Sequence, residues 1–544
     1  MRLSNVKFGI AASLCLALWC CKPEKQYKPV LKAVRTDKAG TALSMAALVC
    51  TQQTEQTDYT IYKMTADGYR VGDMAPFFDA ATNKFVVYFL KDIWNDATNK
   101  RHPLYAFTTT NFFTYTATGE IISSSSATCA QDNAVGAASI VKNGSTYYAF
   151  YSGHNNNYTT CGTKLEGIMR ASSTTPTSAY TKNTSFSTIN VPTGQGFDEN
   201  DNFRDPYVFL DGTTWYMLVA ARKTIAGTMR GVIVKYTSNN LNSWTYQGVL
   251  YDGGATNYWM MECPQEIKIG STYYLIYSDQ INKYMYYRKS SSVGGPWSNP
   301  VGLSRFEGKS FFAGKIQKDQ FGDHYIFGWT NVLAGHTDAG AWTWGGNMVV
   351  HKLYALANGD LALTIPHTLK ANLETNNYAL TVDSQWGNVT NTVPGQQTYR
   401  MISPADFDVA NVIYDPVAKQ KFKISATVNY ASSAKDFGFM IGACDGFNDF
   451  YSLRFVPSQN RFSFDKTQHG SITPSTVADN DVPITLAPNT DYTVDIVVEN
   501  SMVVVYINNV AALSCRIYKA QTTNWGIFTD HSDVTFKNIL VTNP

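Results

Sequence analysis

Three short stretches each set a carboxylate at what reads as the start of a β segment: YRVGDMAP with Asp73, FRDP with Asp205 and MECP with Glu262. Each precedes an aromatic strand by nearly the same distance. Asp73 lies twelve residues before Phe85, Asp205 ten before Trp215 and Glu262 eleven before Tyr273. A lone acid at such a place is ordinarily a turn or cap residue. Three at matching offsets in a repeat imply a shared pocket instead. Burying them together costs several kcal/mol unless they are paired or hold a proton, a cost that persists mainly at functional sites. Arg204, beside Asp205, could hold one carboxylate ionised and donate to a ligand hydroxyl. Such a cluster suits glycosidic cleavage. One acid delivers a proton to the leaving oxygen while a second faces the developing oxocarbenium ion, with the two roughly 5–5.5 Å apart in a retaining enzyme.

The elements that would position these acids recur along the chain. KFVVYFL at 84, TYYAFYSG at 146, TWYMLVAA at 214, TYYLIYSD at 272 and HYIFGWTN at 324 are aromatic strands spaced by 62, 68, 58 and 52 residues. Steps of that size fit four-stranded antiparallel blades, so the repeat predicts a five-bladed β-propeller over residues 60–366. The first strand of each blade then lines the axis, and three of the five carry an acid there. GAASI and SFFAGK occupy the place in the second and fifth units. Residues 367–395 are turn-rich and read as a connector. From 396 to 544, alternating segments such as FKISATVNY and VVVYINN predict a β-sandwich, making the chain all-β.

Composition agrees with many short strands: aromatics are 14% of the 544 residues and charged residues only 16%. A formal net charge of +2 gives no reason to expect a nucleic-acid partner and fits a neutral oligo- or polysaccharide. At the N-terminus, MRLSNVK and a short apolar run end at Leu18-Trp19-Cys20-Cys21, which resembles a bacterial lipoprotein processing site. Residues 1–21 are therefore expected to be a leader and 22–59 a linker. Cys21, or else Cys20, would be lipidated, giving an exported outer-membrane lipoprotein that faces the periplasm or the cell surface and meets the membrane only through that anchor. Plain secretion is the alternative. None of the other cysteines forms a CxxC or Cys/His cluster, so neither a metal site nor a cofactor is expected. Cys129–Cys161 and Cys444–Cys515 could pair in an oxidising compartment.

FRDP and ECP, in that order on successive repeats, resemble two signatures of glycoside hydrolase family 32, which includes invertases, levanases and inulinases. The resemblance implies a five-bladed propeller followed by a β-sandwich. It implies Asp73 as nucleophile, Asp205 as transition-state stabiliser and Glu262 as general acid/base. Two departures stand out: the first-blade stretch lacks the usual Trp and Asn residues, and Ser310 replaces an acid in GKSFFAGK. His154 could hydrogen-bond a sugar or be a loop residue, and Trp94 and Trp344 could stack on sugar rings or pack in the core. Cys263 should pack beside the acid/base. The resulting expectation is a retaining hydrolase of terminal β-fructofuranosidic bonds in fructans or sucrose. An inverting enzyme on arabinose- or xylose-containing glycans, similar to family 43, is the alternative, as is a non-catalytic glycan-binding lipoprotein.

Overall fold

The computed structural model describes residues 35–36, 42–43, 58–93, 102–302, 305–393, 395–403, 409–433, 435–444, 449–466, 479–518 and 523–544. The chain divides into two units, residues 1–46 and 47–544. In the first, Arg35–Thr36 pairs antiparallel with Ala42–Leu43. Cys21 and Trp94 lie outside the described residues.

In the second unit, the described residues between 71 and 364 form five successive antiparallel meanders. Their inner strands are Val71–Asp79, Ala134–Asn143, Phe203–Asp211, Met261–Ile269 and Phe311–Lys318, and each neighbours the next, the fifth returning to the first. The aromatic strands Lys84–Lys91, Thr146–His154, Thr214–Ile225, Thr272–Asp279 and His324–Leu333 pair next outward, as the repeat predicts. They are buried because each meander packs face to face on its neighbours, which removes both sides of the strand from water. Tyr88, Tyr151, Tyr277 and Trp329 are among the largest fully buried side chains. Among the described residues the fourth meander has three strands rather than four. The fifth joins the first through Gly346 opposite Val71.

Among the described residues the β-sandwich consists of two sheets, of eight and seven strands. Their facing sides, rich in Val, Ile and Phe, enclose a second core. The stretch 367–395, expected to be a connector, instead contributes the helix His367–Leu373 and strands that pair with this domain. Asn376–Tyr378 pairs with Ser532–Asn543, Val382–Trp386 with Val409–Tyr414, and Asn388–Val393 with Thr398–Ile402. Its polar, turn-rich composition belongs to edge strands, which expose one face and tolerate it. Cys129 and Cys161 form a disulfide. The second candidate pair is not made, because Cys515 is a free thiol buried in the sandwich.

Buried polar contacts fasten the sandwich to the meanders, among them those of Arg516, Glu307 and Glu499. Arg516 donates to the carbonyls of Asn331 and Thr330 and to Asn347 Oδ1 in the fifth meander. Glu307, in the loop before the fifth inner strand, accepts from Ser514 N at 2.7 Å and faces His351 Nε2 at 3.3 Å. Glu499 accepts from the backbone N–H groups of Thr60, Ile61 and Tyr62 at 2.8, 2.9 and 2.9 Å. That segment also reaches the fifth meander, where Asn347 Nδ2 donates to Tyr62 O. Hydrogen bonds to a buried charge each contribute ~1.5–3 kcal/mol. Glu499→Ala should therefore cost several kcal/mol in denaturant unfolding, and a loss below ~0.5 kcal/mol would show the strap is not fastened there.

Candidate active site

At one end of the ring every inner strand carries the same irregularity. The pairing with the aromatic strand slips between Gly72 and Ala75, Val135 and Ala138, Arg204 and Tyr207, Glu262 and Gln265, and Phe312 and Lys315. In each, two residues stand opposite one, which is a β-bulge. Bulges re-aim side chains and free backbone groups from the ladder. The first bulge residues are Asp73, Gly136, Asp205, Cys263 and Ala313. Four of them take positive φ: +46°, +60°, +48° and +52° for Asp73, Asp205, Cys263 and Ala313. Backbone in that region costs a non-glycine residue ~1–2 kcal/mol, and such strain clusters at functional sites. Proline follows in two of the bulges, Asp205-Pro206 and Cys263-Pro264, where its missing N–H leaves no ladder bond unmade.

The freed amides stitch neighbouring meanders together. Asp205 N donates to Ser152 Oγ, and Cys263 N donates to Asp205 Oδ2, both at 2.9 Å. Ala313 N donates to Ser278 Oγ at 3.1 Å. The bulges also correct the expected register: Asp73 and Asp205 occupy equivalent places, whereas Glu262 sits one residue earlier, where Arg204 stands in the third strand. Counting offsets from the aromatic strands treats all three as equivalent, because a count cannot see which residue a bulge leaves unpaired.

All three acids line one cavity of about 200 Å³, together with Arg204, His154, Cys263 and Trp344. Arg204 Nη2 donates to Glu262 Oε1 at 2.6 Å. Trp329 Nε1 donates to Asp73 Oδ1 at 3.2 Å. Trp344 stacks on His102 with ring centroids 4.5 Å apart, and its ring fills the space that a Cβ at residue 72 would need, which is why glycine precedes Asp73. His154 points its Nδ1 at Glu166 Oε1, 3.5 Å away. Ser310 is not at the cavity: its hydroxyl accepts from Asn480 Nδ2 of the sandwich.

Glu166 is a fourth acid in the cavity wall that counting inner strands misses, because it opens a third strand, Glu166–Ser173. Its Oε2 accepts from Phe203 N at 2.9 Å and from Arg204 Nη1 at 3.2 Å. Burial works to raise its pKa, but Arg204, His154 and the Phe203 amide outweigh it and bring the carboxyl down to about 2. The other three move upward. Burial is the largest cause for each, opposed at Glu262 and Asp205 by Arg204. Asp73 is pushed up to about 7 by burial and then by Asp205 and Glu262. Burial likewise pushes the Cys263 thiol far up, so it is no thiolate nucleophile. Among the described residues no three His, Cys, Asp or Glu side chains converge as metal ligands would.

The profile of the glycosyl hydrolases family 32 N-terminal domain matches residues 78–364. The chain belongs to glycosyl hydrolase family 32. A second profile, the GH32, BT1760-like, C-terminal domain, matches residues 359–541 and so takes in the sandwich. Among curated relatives, the sucrose-6-phosphate hydrolase of Escherichia coli is 28% identical over 172 residues, 29% of this chain and 35% of that protein. The raffinose invertase of Escherichia coli is 25% identical over 158 residues, 27% of this chain and 32% of the relative. The matched stretch thus spans about a third of the length of these relatives. Among solved structures, fructan 1-exohydrolase IIa from Cichorium intybus superposes with a TM-score of 0.66 at 13% identity, covering 90% of this chain and 98% of its own. Sucrose-6-phosphate hydrolase from Lactobacillus gasseri gives 0.63 at 16%, covering 90% and 94%. These likenesses establish the β-propeller and β-sandwich architecture of this family 32 chain.

An unfolded aspartate ionises near ~3.9, whereas folded Asp73 keeps its proton up to about 7. Its contribution to stability is complete below ~pH 4 and is lost as pH rises through about 7. Asp73→Asn should therefore melt within about a degree of wild type at pH 4 and a few degrees higher at pH 8.5. Equal melting temperatures at both ends of a pH series would contradict the raised ionisation.

Proposed function

We propose that this chain is a retaining glycoside hydrolase acting on terminal β-fructofuranosidic bonds in fructans or sucrose. The observation that carries the reading is the convergence of Asp73, Asp205 and Glu262, on three different inner strands, in a cavity of about 200 Å³. In this reading the five meanders are the five blades of the propeller.

In its ionised form Asp73 attacks the anomeric carbon of the fructosyl unit, and the glycosidic bond breaks as Glu262 gives its proton to the leaving oxygen. Water then enters, loses a proton to Glu262 and displaces Asp73. Asp205, fixed by the Cys263 amide, accepts from ring hydroxyls and adds negative charge beside the oxocarbenium-like transition state. Arg204 pairs with Glu262. A sugar hydroxyl that accepts from Arg204 competes for that donor, and Glu262 then takes up the proton that its burial favours. His154 and Trp344 border the cavity and supply a polar edge and an apolar wall to the ring.

Product release from sucrose, inulin, levan, arabinan and xylan tests the reading. Wild type should release fructose, and Glu262→Gln should lose ~10²–10⁴-fold in kcat while still binding sugar. Pentose release would move the chain to the inverting alternative, and glycan binding without turnover would make it a binding protein. The N-terminal leader is read as a lipoprotein signal with Cys21 acylated. Cells expressing the full chain and fed labelled palmitate should label wild type and not Cys21→Ala; label persisting in that variant would assign Cys20 or another site.

A further inference from the structure

The inner strands line two cavities. Their bulged ends carry the acids, and their far halves line a second cavity of about 480 Å³ that shares no residue with the first. The two differ in charge. In the first wall stand four carboxyls and one arginine, with His102 and His154. In the second stand four lysines, Lys142, Lys268, Lys315 and Lys318, against two carboxyls, Asp211 and Glu266, with His324. Lys142, Lys268 and Lys318 are exposed and fall in the last two residues of the second, fourth and fifth inner strands, so they meet the cavity from three sides at one level.

Exposed lysines alone make no site. Lys315 is different, because it lines the same cavity at 2% exposure. Its Nζ donates to Ala138 O, on the second inner strand, at 3.0 Å. Among the described residues that is its one hydrogen bond, and it has no ion pair. Neighbouring Gln265 is no alternative partner: its amide bonds Ile316 O and Ile316 N, at 2.7 and 2.6 Å. An ammonium buried against a single carbonyl is poorly compensated, and an anion in the cavity would compensate it. Glu266, also buried, accepts from Gly294 N at 2.8 Å through Oε1, while its Oε2 has no partner. Burial pushes its pKa up to about 7. Below that it is a neutral acid, able to donate an O–H to an anion rather than repel it. Asp211 is then the one opposing charge in the wall.

We propose that this second cavity is a binding site for a small anion of the phosphate or phosphate-ester class. Lysine presents a compact charge with several donors, which suits phosphate oxygens. Phe77 and Tyr207 in the same wall offer apolar surface to the organic part of an ester. The acid pocket, with its four carboxyls, repels such a ligand. This site is independent of the glycosidase reading.

Titration calorimetry of the whole protein with inorganic pyrophosphate tests it, at low salt and below the pH at which Glu266 ionises. Wild type should bind it, more weakly as salt rises. Lys315→Gln removes the charge but keeps a donor for Ala138 O, and should lose about tenfold in affinity. The exposed double variant Lys268→Ala/Lys318→Ala should lose about two- to fivefold. Arg204→Gln, which removes the cation of the acid pocket, should bind as wild type does. Glycerol phosphate should displace pyrophosphate, and glycerol should not. Absence of binding to wild type at millimolar pyrophosphate overturns the proposal, as does wild-type affinity in Lys315→Gln. Loss of binding in Arg204→Gln alone would put the anion in the acid pocket and overturn it too. If Lys315→Gln does not fold, the exposed double variant decides, and unchanged affinity there overturns the proposal.

Discussion

The site depends on a bulge repeated at the same level of all five inner strands. A regular strand alternates its side chains between two faces, so adjacent residues cannot both serve one pocket. The bulge suspends that rule for two residues. It lets Asp205 and its neighbour Arg204 line the same cavity, and Glu262 and its neighbour Cys263 likewise. It also turns loose the amides of Asp205, Cys263 and Ala313, each of which is bonded to a group on another meander. The strain at four positive-φ residues is thus held by bonds between meanders, so the stability of the ring and the geometry of the acids are one problem.

Charge is the second constraint, and it is met by unequal surroundings. Four carboxylates in one cavity wall cannot all ionise without cations. Glu166, in contact with Arg204 and an amide, stays ionised to about pH 2, while Asp73, with no cation in contact, holds a proton to about pH 7. Environments that push neighbouring acids apart are how one site comes to contain both a proton donor and an anion. Glu166 therefore acts through Arg204: it holds the guanidinium that also pairs with Glu262.

How far this could be read from residue types alone follows from what each depended on. The aromatic strands were legible because their burial on both faces forces an apolar run at a regular step. Asp73, Asp205 and Glu262 were legible because the repeat gave them a common frame. The one-residue offset of Glu262 was not, since a bulge leaves no mark in a distance count. Ser310 looked like a site residue that had lost its acid, but it belongs to the contact with the sandwich. Glu166 was invisible for a related reason: it opens a third strand rather than an inner one.

The sandwich shows the same limit on a larger scale. Its second core was evident from alternation, yet its attachment is made by polar residues that look ordinary in sequence. Arg516 and Glu499 are buried because they fill backbone donor and acceptor sites of another element, and nothing in their local context announces this. Polar groups buried at such a junction contribute little unless every partner is present, and then they specify one arrangement. Ser514 N on Glu307 and the Tyr506 hydroxyl on His351 Nδ1 tie the sandwich to elements of the fifth meander. That meander supplies Trp329 to Asp73. The sandwich therefore braces the meander whose Trp329 holds Asp73, which gives it a physical reason to remain attached to the ring.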